Sequence, residues 1–253
     1  MNEKEDFNFS TGVIGYPILF VLAIWIVFWF EIRFNFDFNT WGVYPRSIIG
    51  LRGILFSPFI HGDLSHLWHN TLPLLILSAS LFFFYPKNVW RVLLAGVLCT
   101  GILTWLLGRE ANHIGASGVI YMLFGFLFFK GIIAKHFRLI ALSLIVVFIY
   151  GSMIWYIAPI DPKISWEGHL SGLITGIVLA FVIKKGIAKP KKYHWESSGY
   201  NPDDDEFLRH FDEHGNFIEI LPEDTVEEES VTIVYEYKKR DDALDTERDQ
   251  ENN

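Results

Sequence analysis

Six apolar runs constrain this chain more than any other feature of it. They fall near residues 12–30, 65–85, 89–108, 116–134, 138–158 and 167–187, and each approaches the ~20 residues a helix needs to cross the hydrocarbon core of a bilayer. The expected fold class is therefore an all-α polytopic membrane protein with six transmembrane helices. Composition agrees, since 51% of the 253 residues are hydrophobic, with 23 Phe and 9 Trp. Charge divides the chain in two. From Tyr193 onward there are 20 acidic and 5 basic residues, a balance of −15, whereas residues 1–192 hold 9 acidic and 16 basic, a balance of +7. The sequence thus predicts a short leader at 1–11, a membrane domain at 12–187 and an acidic tail at 188–253, partly disordered or a small β element. The leader is acidic and no small-residue cleavage pattern follows the first run, so a cleavable signal peptide is not expected. A single cysteine, Cys99, excludes an internal disulfide framework, and its apolar surroundings suggest a small packed hydrophobe.

Lysine and arginine orient the spans, because connections rich in them stay in the cytoplasm. With both termini cytoplasmic, the inside segments hold 11 of these residues and the outside connections 5. The cluster KKGIAKPKK after the sixth run decides the matter. The connection at 31–60 is too polar to span and too aromatic for a floppy linker, so it is expected on the membrane surface or half inserted.

Polar side chains within a bilayer are costly and usually face a protein interior or a wet cavity. Three sets stand out: HGDLSHLWHN, with His61, His66, His69 and Asn70, at the start of the second span; Ser117 at the start of the fourth; and His169, in EGHLSG, at the start of the sixth. The even-numbered spans all run from outside to inside, so the three sets share one depth near the outer face. A serine hydroxyl needs a nearby base to act as a nucleophile, and histidine is the usual one. An oxyanion needs donors such as Asn, His and a backbone N–H. Ser117, His169, Asn70 and His66 supply nucleophile, base and donors, with His66 and Asn70 four apart on one helix face. Tyr121, one turn after Ser117, is placed to pack on His169, and no acidic residue is an obvious third member. Glu167 is expected on another face near the surface, and His113 and Glu110 are expected to be solvated, with His113 near enough to the site to touch a substrate.

Blander readings remain beside this one. Gly115, Ser117 and Gly118 could serve only close helix packing, which is the expected role of Gly118, Gly168, Gly172 and Gly176 as small residues between membrane helices. His169 could be an interior histidine. His61, His66 and His69 could ligate a metal, but the spans offer no clear acidic ligand and no H-E-x-x-H motif, so no metal or other cofactor is expected. The inverted-repeat symmetry of small transporters is not visible.

Three stretches, HGDLSHLWHNTLPLL, HIGASGVIY and GHLSGLITG, occur in order at the ends of the second, fourth and sixth spans, and the chain resembles the rhomboid intramembrane serine proteases over residues 12 to 187. The resemblance implies a six-helix rhomboid-like bundle in which Ser117 is the nucleophile, His169 the base, Asn70 and His66 the lining of the oxyanion hole with the Ser117 N–H, and Tyr121 a stacking partner of His169. It further implies that Gly115 lets the loop approach the scissile carbonyl, that His61 is structural, that 31–60 is the membrane-embedded loop and that span five is the mobile helix beside substrate access. The function implied is an endopeptidase of the bacterial plasma (inner) membrane, both termini cytoplasmic, cutting transmembrane segments of other proteins. Its partners are those substrates and the lipid bilayer, not nucleic acid, with the partner of the acidic tail left open. The alternative is a non-catalytic binder of client transmembrane helices. Within the tail, HFDEHGNFIEIL and SVTIVYEYKK alternate enough to suggest a small β-hairpin.

Overall fold

The computed structural model describes residues 11–149, 155–184 and 193–219. The chain forms two compact units, residues 1–191 and 192–253. Among the described residues the first unit is helical and contains no strand. Its longer helices are α1 (Thr11–Phe34), α2 (Leu64–Phe84), α3 (Val89–Leu107), α4 (Ser117–Ile133), α5 (Phe137–Ile149) and α6 (Trp166–Val182). They begin where the six apolar runs were expected. α1, α2 and α3 are long and apolar enough to cross a membrane, while α4, α5 and α6 are shorter apolar helices of 17, 13 and 17 residues. Residues 150–154 and 185–187 of the expected fifth and sixth spans lie outside the described residues, as do residues 1–10 of the leader, most of the basic cluster and the SVTIVYEYKK run. The expected end of the fifth span is a 3₁₀ turn, Trp155–Ile157, and not α-helix, and α6 closes at Val182, short of the end expected for the sixth.

The outer faces of the helices are apolar, unlike those of a water-soluble bundle, while the interior holds both apolar side chains and the buried polar ones. On α3 the exposed row is Trp90, Leu94, Leu98, Ile102 and Leu106, at four-residue spacing, while Thr100 and Thr104 are buried. On α1 the row Ile14, Ile18, Leu22 and Ile26 is likewise exposed. Residues four apart share one helix face, so each of the two helices presents a continuous apolar row outward, and the polar threonines of α3 lie inward among apolar neighbours. Cys99 faces outward too, not into the packed interior expected for it. Buried hydroxyls are satisfied within their own helices: Thr104 donates to Thr100 O at 2.8 Å, Ser80 to Ile76 O at 2.6 Å and Ser78 to Leu74 O, the local back-bonding open to Ser and Thr.

α4 is buried nearly all round, with Met122, Leu123, Phe126 and Leu127 fully enclosed. It packs most tightly on α6, where backbones touch. A Cβ on Gly172 would collide with the Gly118 carbonyl, one on Gly176 with the Met122 carbonyl, and one on Gly125 would lie 2.9 Å from Leu173 O. Gly118 sits in the same seam against Thr100 and the Gly168 carbonyl, whereas a Cβ on Gly168 would press on its own helix cap, Ser165. In the last turn of α4 Lys130 is buried and donates to the Ile183 carbonyl at the close of α6.

The connection between α1 and α2 is docked rather than loose. Short helical turns at Asn39–Trp41, Ile49–Arg52, Gly53–Phe56 and Ser57–Phe59 are pinned to α3 and to the loop before α4. Trp105 Nε1 donates to Ser47 O at 2.8 Å, the Arg46 guanidinium to Gly108 O at 2.8 Å, and Val43 and His113 exchange backbone hydrogen bonds of 2.9 Å. Its outward rings, Phe36, Trp41 and Phe56, are exposed. In the second unit, residues 193–219 form short 3₁₀ turns and one antiparallel bridge, Phe211 to Phe217, closed by Gly215 at φ +80°.

Candidate active site

The first turns of α2, α4 and α6 open on one cavity of about 680 Å³, lined among others by His66, Asn70, Ser117, Tyr121 and His169. Two of the three helix starts carry a side-chain cap. Asp63 caps α2 by accepting from the His66 N–H at 2.8 Å, and Ser165 caps α6 by accepting from the Gly168 N–H at 3.3 Å, the common use of Asp and Ser at an N-cap. Ser117 is the first residue of α4, where helix amides lack intrahelical acceptors and can serve an anion.

Ser117 Oγ lies 2.9 Å from His169 Nε2. The other ring nitrogen, Nδ1, lies 2.8 Å from the Tyr156 carbonyl oxygen. A carbonyl only accepts, so Nδ1 carries the proton and Nε2 is left as an acceptor for the serine hydroxyl. Tyr121 stacks on the imidazole at 4.3 Å between centroids and 17° between planes. His169 is 7% exposed. The ring is thus held on three sides: by the serine, by a backbone carbonyl and by an aromatic face.

On the opposite wall Gly115 has φ +106°, a left-handed conformation that favours glycine. A Cβ there would stand 2.6 Å from His66 Nε2 and 3.6 Å from Asn70 Nδ2. The loop two residues before Ser117 therefore lies against both side chains. Asn70 is 5% exposed and its Nδ2 has no acceptor among the described residues. His61, its ring 5.0 Å from that of His66, receives the Ala116 N–H on Nε2 at 3.4 Å. Burial, aided by the nearby His66 imidazole, lowers its pKa from 6.5 to about 3, so the ring is neutral. His69 also lines the cavity, with Nδ1 donating to Ser65 O of its own helix at 2.6 Å. The residues described include no cluster of side chains suited to a metal ion.

Two expectations need correction. Glu167 is not near the surface but 4% exposed, and its carboxylate takes two bonds from the Arg109 guanidinium, of 2.9 and 3.1 Å. An unpaired carboxylate would be costly there, and Arg109 from the loop before α4 relieves it. His113 is not solvated but 4% exposed, locked between Ser165 and Arg109 O. Glu110 does stay in solvent, 3.9 Å from Arg46. Sequence reasoning missed the Tyr156 carbonyl, since a backbone acceptor leaves no side-chain signature. It also missed Ser165, although a serine just before an apolar run is an N-cap signal.

Outward aliphatic rows around an inward polar cavity define an integral membrane protein. A sequence profile of the rhomboid domain matches residues 50–186, more than half of the chain. The chain belongs to the rhomboid family, whose members are generally serine proteases. An uncharacterized protein of Mycobacterium tuberculosis is 34% identical over 152 residues, 56% of this chain and 63% of the relative. One from Mycobacterium leprae is 32% identical over 149 residues, 53% and 56% of the two chains. A Bacillus subtilis protein named "Putative rhomboid protease YdcA" is 24% identical over 192 residues, 69% of this chain and 92% of the relative. The match thus spans less than two thirds of the mycobacterial relatives' length.

Proposed function

We propose that the protein is an intramembrane serine endopeptidase working through a Ser117–His169 dyad. The observation that carries this reading is the 2.9 Å approach of Ser117 Oγ to His169 Nε2, with Nδ1 tied to a carbonyl. As Oγ attacks the scissile carbonyl carbon, its proton passes to Nε2 and the carbonyl pair moves onto oxygen. The oxyanion is met by Asn70 Nδ2, by His66 and by the Ser117 N–H, a donor set of the kind that stabilises tetrahedral intermediates. The imidazolium is held by Tyr156 O and the Tyr121 ring. It returns the proton to the departing amine, leaving an acyl-serine, and water activated by the same Nε2 then hydrolyses the ester. Gly115 keeps the approach to the carbonyl open.

All six longer helices cross the bilayer in this reading. A 17-residue helix rises ~25 Å, close to the ~30 Å hydrocarbon core. Both termini lie in the cytoplasm of a bacterial plasma membrane and the cavity opens near the outer face. The substrates are transmembrane segments of other proteins that unwind locally to present a carbonyl. The test is a purified preparation in detergent with a single-span reporter protein. Cleavage and labelling by a fluorophosphonate are both expected to disappear in Ser117→Ala and His169→Ala. Cleavage that persists in Ser117→Ala refutes the mechanism, and specific capture of the reporter with neither cleavage nor labelling points instead to a binder of client helices.

A further inference from the structure

The reaction uses neither His113 nor Ser165, yet the two make one of the shortest side-chain contacts in the unit. His113 Nδ1 lies 2.6 Å from Ser165 Oγ, and His113 Nε2 lies 3.0 Å from the Arg109 carbonyl. Because the carbonyl can only accept, Nε2 carries the proton and Nδ1 must accept from the Ser165 hydroxyl. That hydroxyl oxygen simultaneously receives the Gly168 N–H as the cap of α6. The register is what gives the contact meaning. His113 precedes Ser117 by four residues, Ser165 precedes His169 by four, and the His169 N–H bonds to Ser165 O at 3.2 Å. The link therefore joins the same two segments that meet at the Ser117–His169 contact, one step upstream on each.

His113 is well anchored for such a task. Its backbone exchanges two 2.9 Å bonds with Val43, so the loop before α4 is tied to the connection after α1. Its ring is faced by Arg109 and by Glu167, which pair with each other. Burial lowers its pKa, which keeps the ring neutral and Nδ1 free to accept.

We propose that His113 is a positioning residue: through Ser165 it holds the first turn of α6 against the loop before α4, and so sets the Ser117–His169 distance. The proposal rests on the reading of those two residues as nucleophile and base. A displacement of about 1 Å between reacting groups costs on the order of 10²-fold in rate, so the link acts on turnover.

The test uses the full chain in detergent with the single-span reporter and a fluorophosphonate. His113→Ala is expected to lower kcat and the labelling rate of Ser117 by about 10- to 100-fold, with KM unchanged. His113→Asn, whose Oδ1 falls close to the place of Nδ1, recovers most of both. Ser165→Ala lowers kcat comparably, and the double variant falls no further than the worse single one, the mark of residues acting as a unit. Wild-type kcat and labelling in His113→Ala overturn the proposal. So does an equal loss in His113→Ala and His113→Asn accompanied by a lowered thermal midpoint, which marks a merely structural residue. Should the wild type neither cleave nor label, the proteolytic reading fails and the link is read separately, from the imidazole ¹⁵N signals of His169 in histidine-labelled protein. Those signals move in His113→Ala and return in His113→Asn if the link holds, and stay in place if it does not.

Discussion

Asn70 carries a carboxamide whose Nδ2 is buried, beside the Gly115 loop and without an acceptor among the described residues. A buried donor left unpaired costs a folded protein on the order of 1–3 kcal/mol, so removing it does not cost stability. Asn70→Ala is therefore expected to leave the thermal midpoint unchanged or slightly raised. If the donor meets the oxyanion, the same change lowers kcat by about 10²–10³-fold with little change in KM. Melting curves and steady-state kinetics on one preparation separate the two effects. A fall in stability without a fall in kcat assigns Asn70 to the scaffold instead. Residues of this kind were legible in the sequence because hydrocarbon makes any polar group conspicuous: Ser117, His169, His66 and Asn70 all line the one cavity. Tyr156 was not legible, since it contributes through its carbonyl. His113 and Glu167 were misjudged because their burial comes from how the loop before α4 packs on α6, which local hydropathy does not record.

The seam between α4 and α6 brings these residues together, and it depends on atoms that are missing. The Cβ of an alanine at 172 would strike the Gly118 carbonyl and lie 3.2 Å from the Met122 nitrogen, both backbone atoms that cannot step aside. Overpacking of this sort typically costs ~1–3 kcal/mol. Gly172→Ala is expected to lower the thermal midpoint, and to lower kcat with it because the two helix starts are pushed apart. Gly15→Ala is the control: nothing lies within 4 Å of a Cβ there, and alanine is the better helix former by ~1 kcal/mol, so stability holds or rises. Equal melting of the two variants would show that α4 and α6 have slack. Helix starts followed from hydropathy closely. The expected end of the fifth run is instead a 3₁₀ turn at Trp155–Ile157 and α6 closes at Val182 before the sixth run ends, because hydropathy records apolarity and not where the backbone leaves the helix. The 31–60 connection was legible only as neither span nor linker. Its docking on α3 depends on side-chain-to-backbone bonds across the fold, such as Trp105 to Ser47 and Arg46 to Gly108.

Across the whole molecule, stability is linked to pH through histidines that fold in the neutral form. His61 lies outside the helices and is 1% exposed, and burial takes its pKa from an ordinary 6.5 to about 3. His113, also in a loop, is displaced in the same direction by burial. The unfolded chain takes up these protons as pH falls through 6.5, whereas the folded chain refuses the His61 proton until about 3. More protons on the unfolded state means that stability rises with pH in this window and is lost on acidification. Each such histidine contributes up to ~1.4 kcal/mol per pH unit. In the tail, the Tyr200 hydroxyl holds Asp205 below the usual 3.8 and the Asn216 amide does the same for Asp212, so neither titrates in the upper part of the window. The thermal midpoint in one detergent is therefore expected to fall between pH 6.5 and 4, by a smaller amount in His61→Gln, which keeps an acceptor for the Ala116 N–H but takes up no proton. The slope should flatten again in the His61→Gln, His113→Asn double variant. If both variants retain the wild-type slope, neither ring is the source of the acid sensitivity, and the neutral state assigned to His61 is wrong.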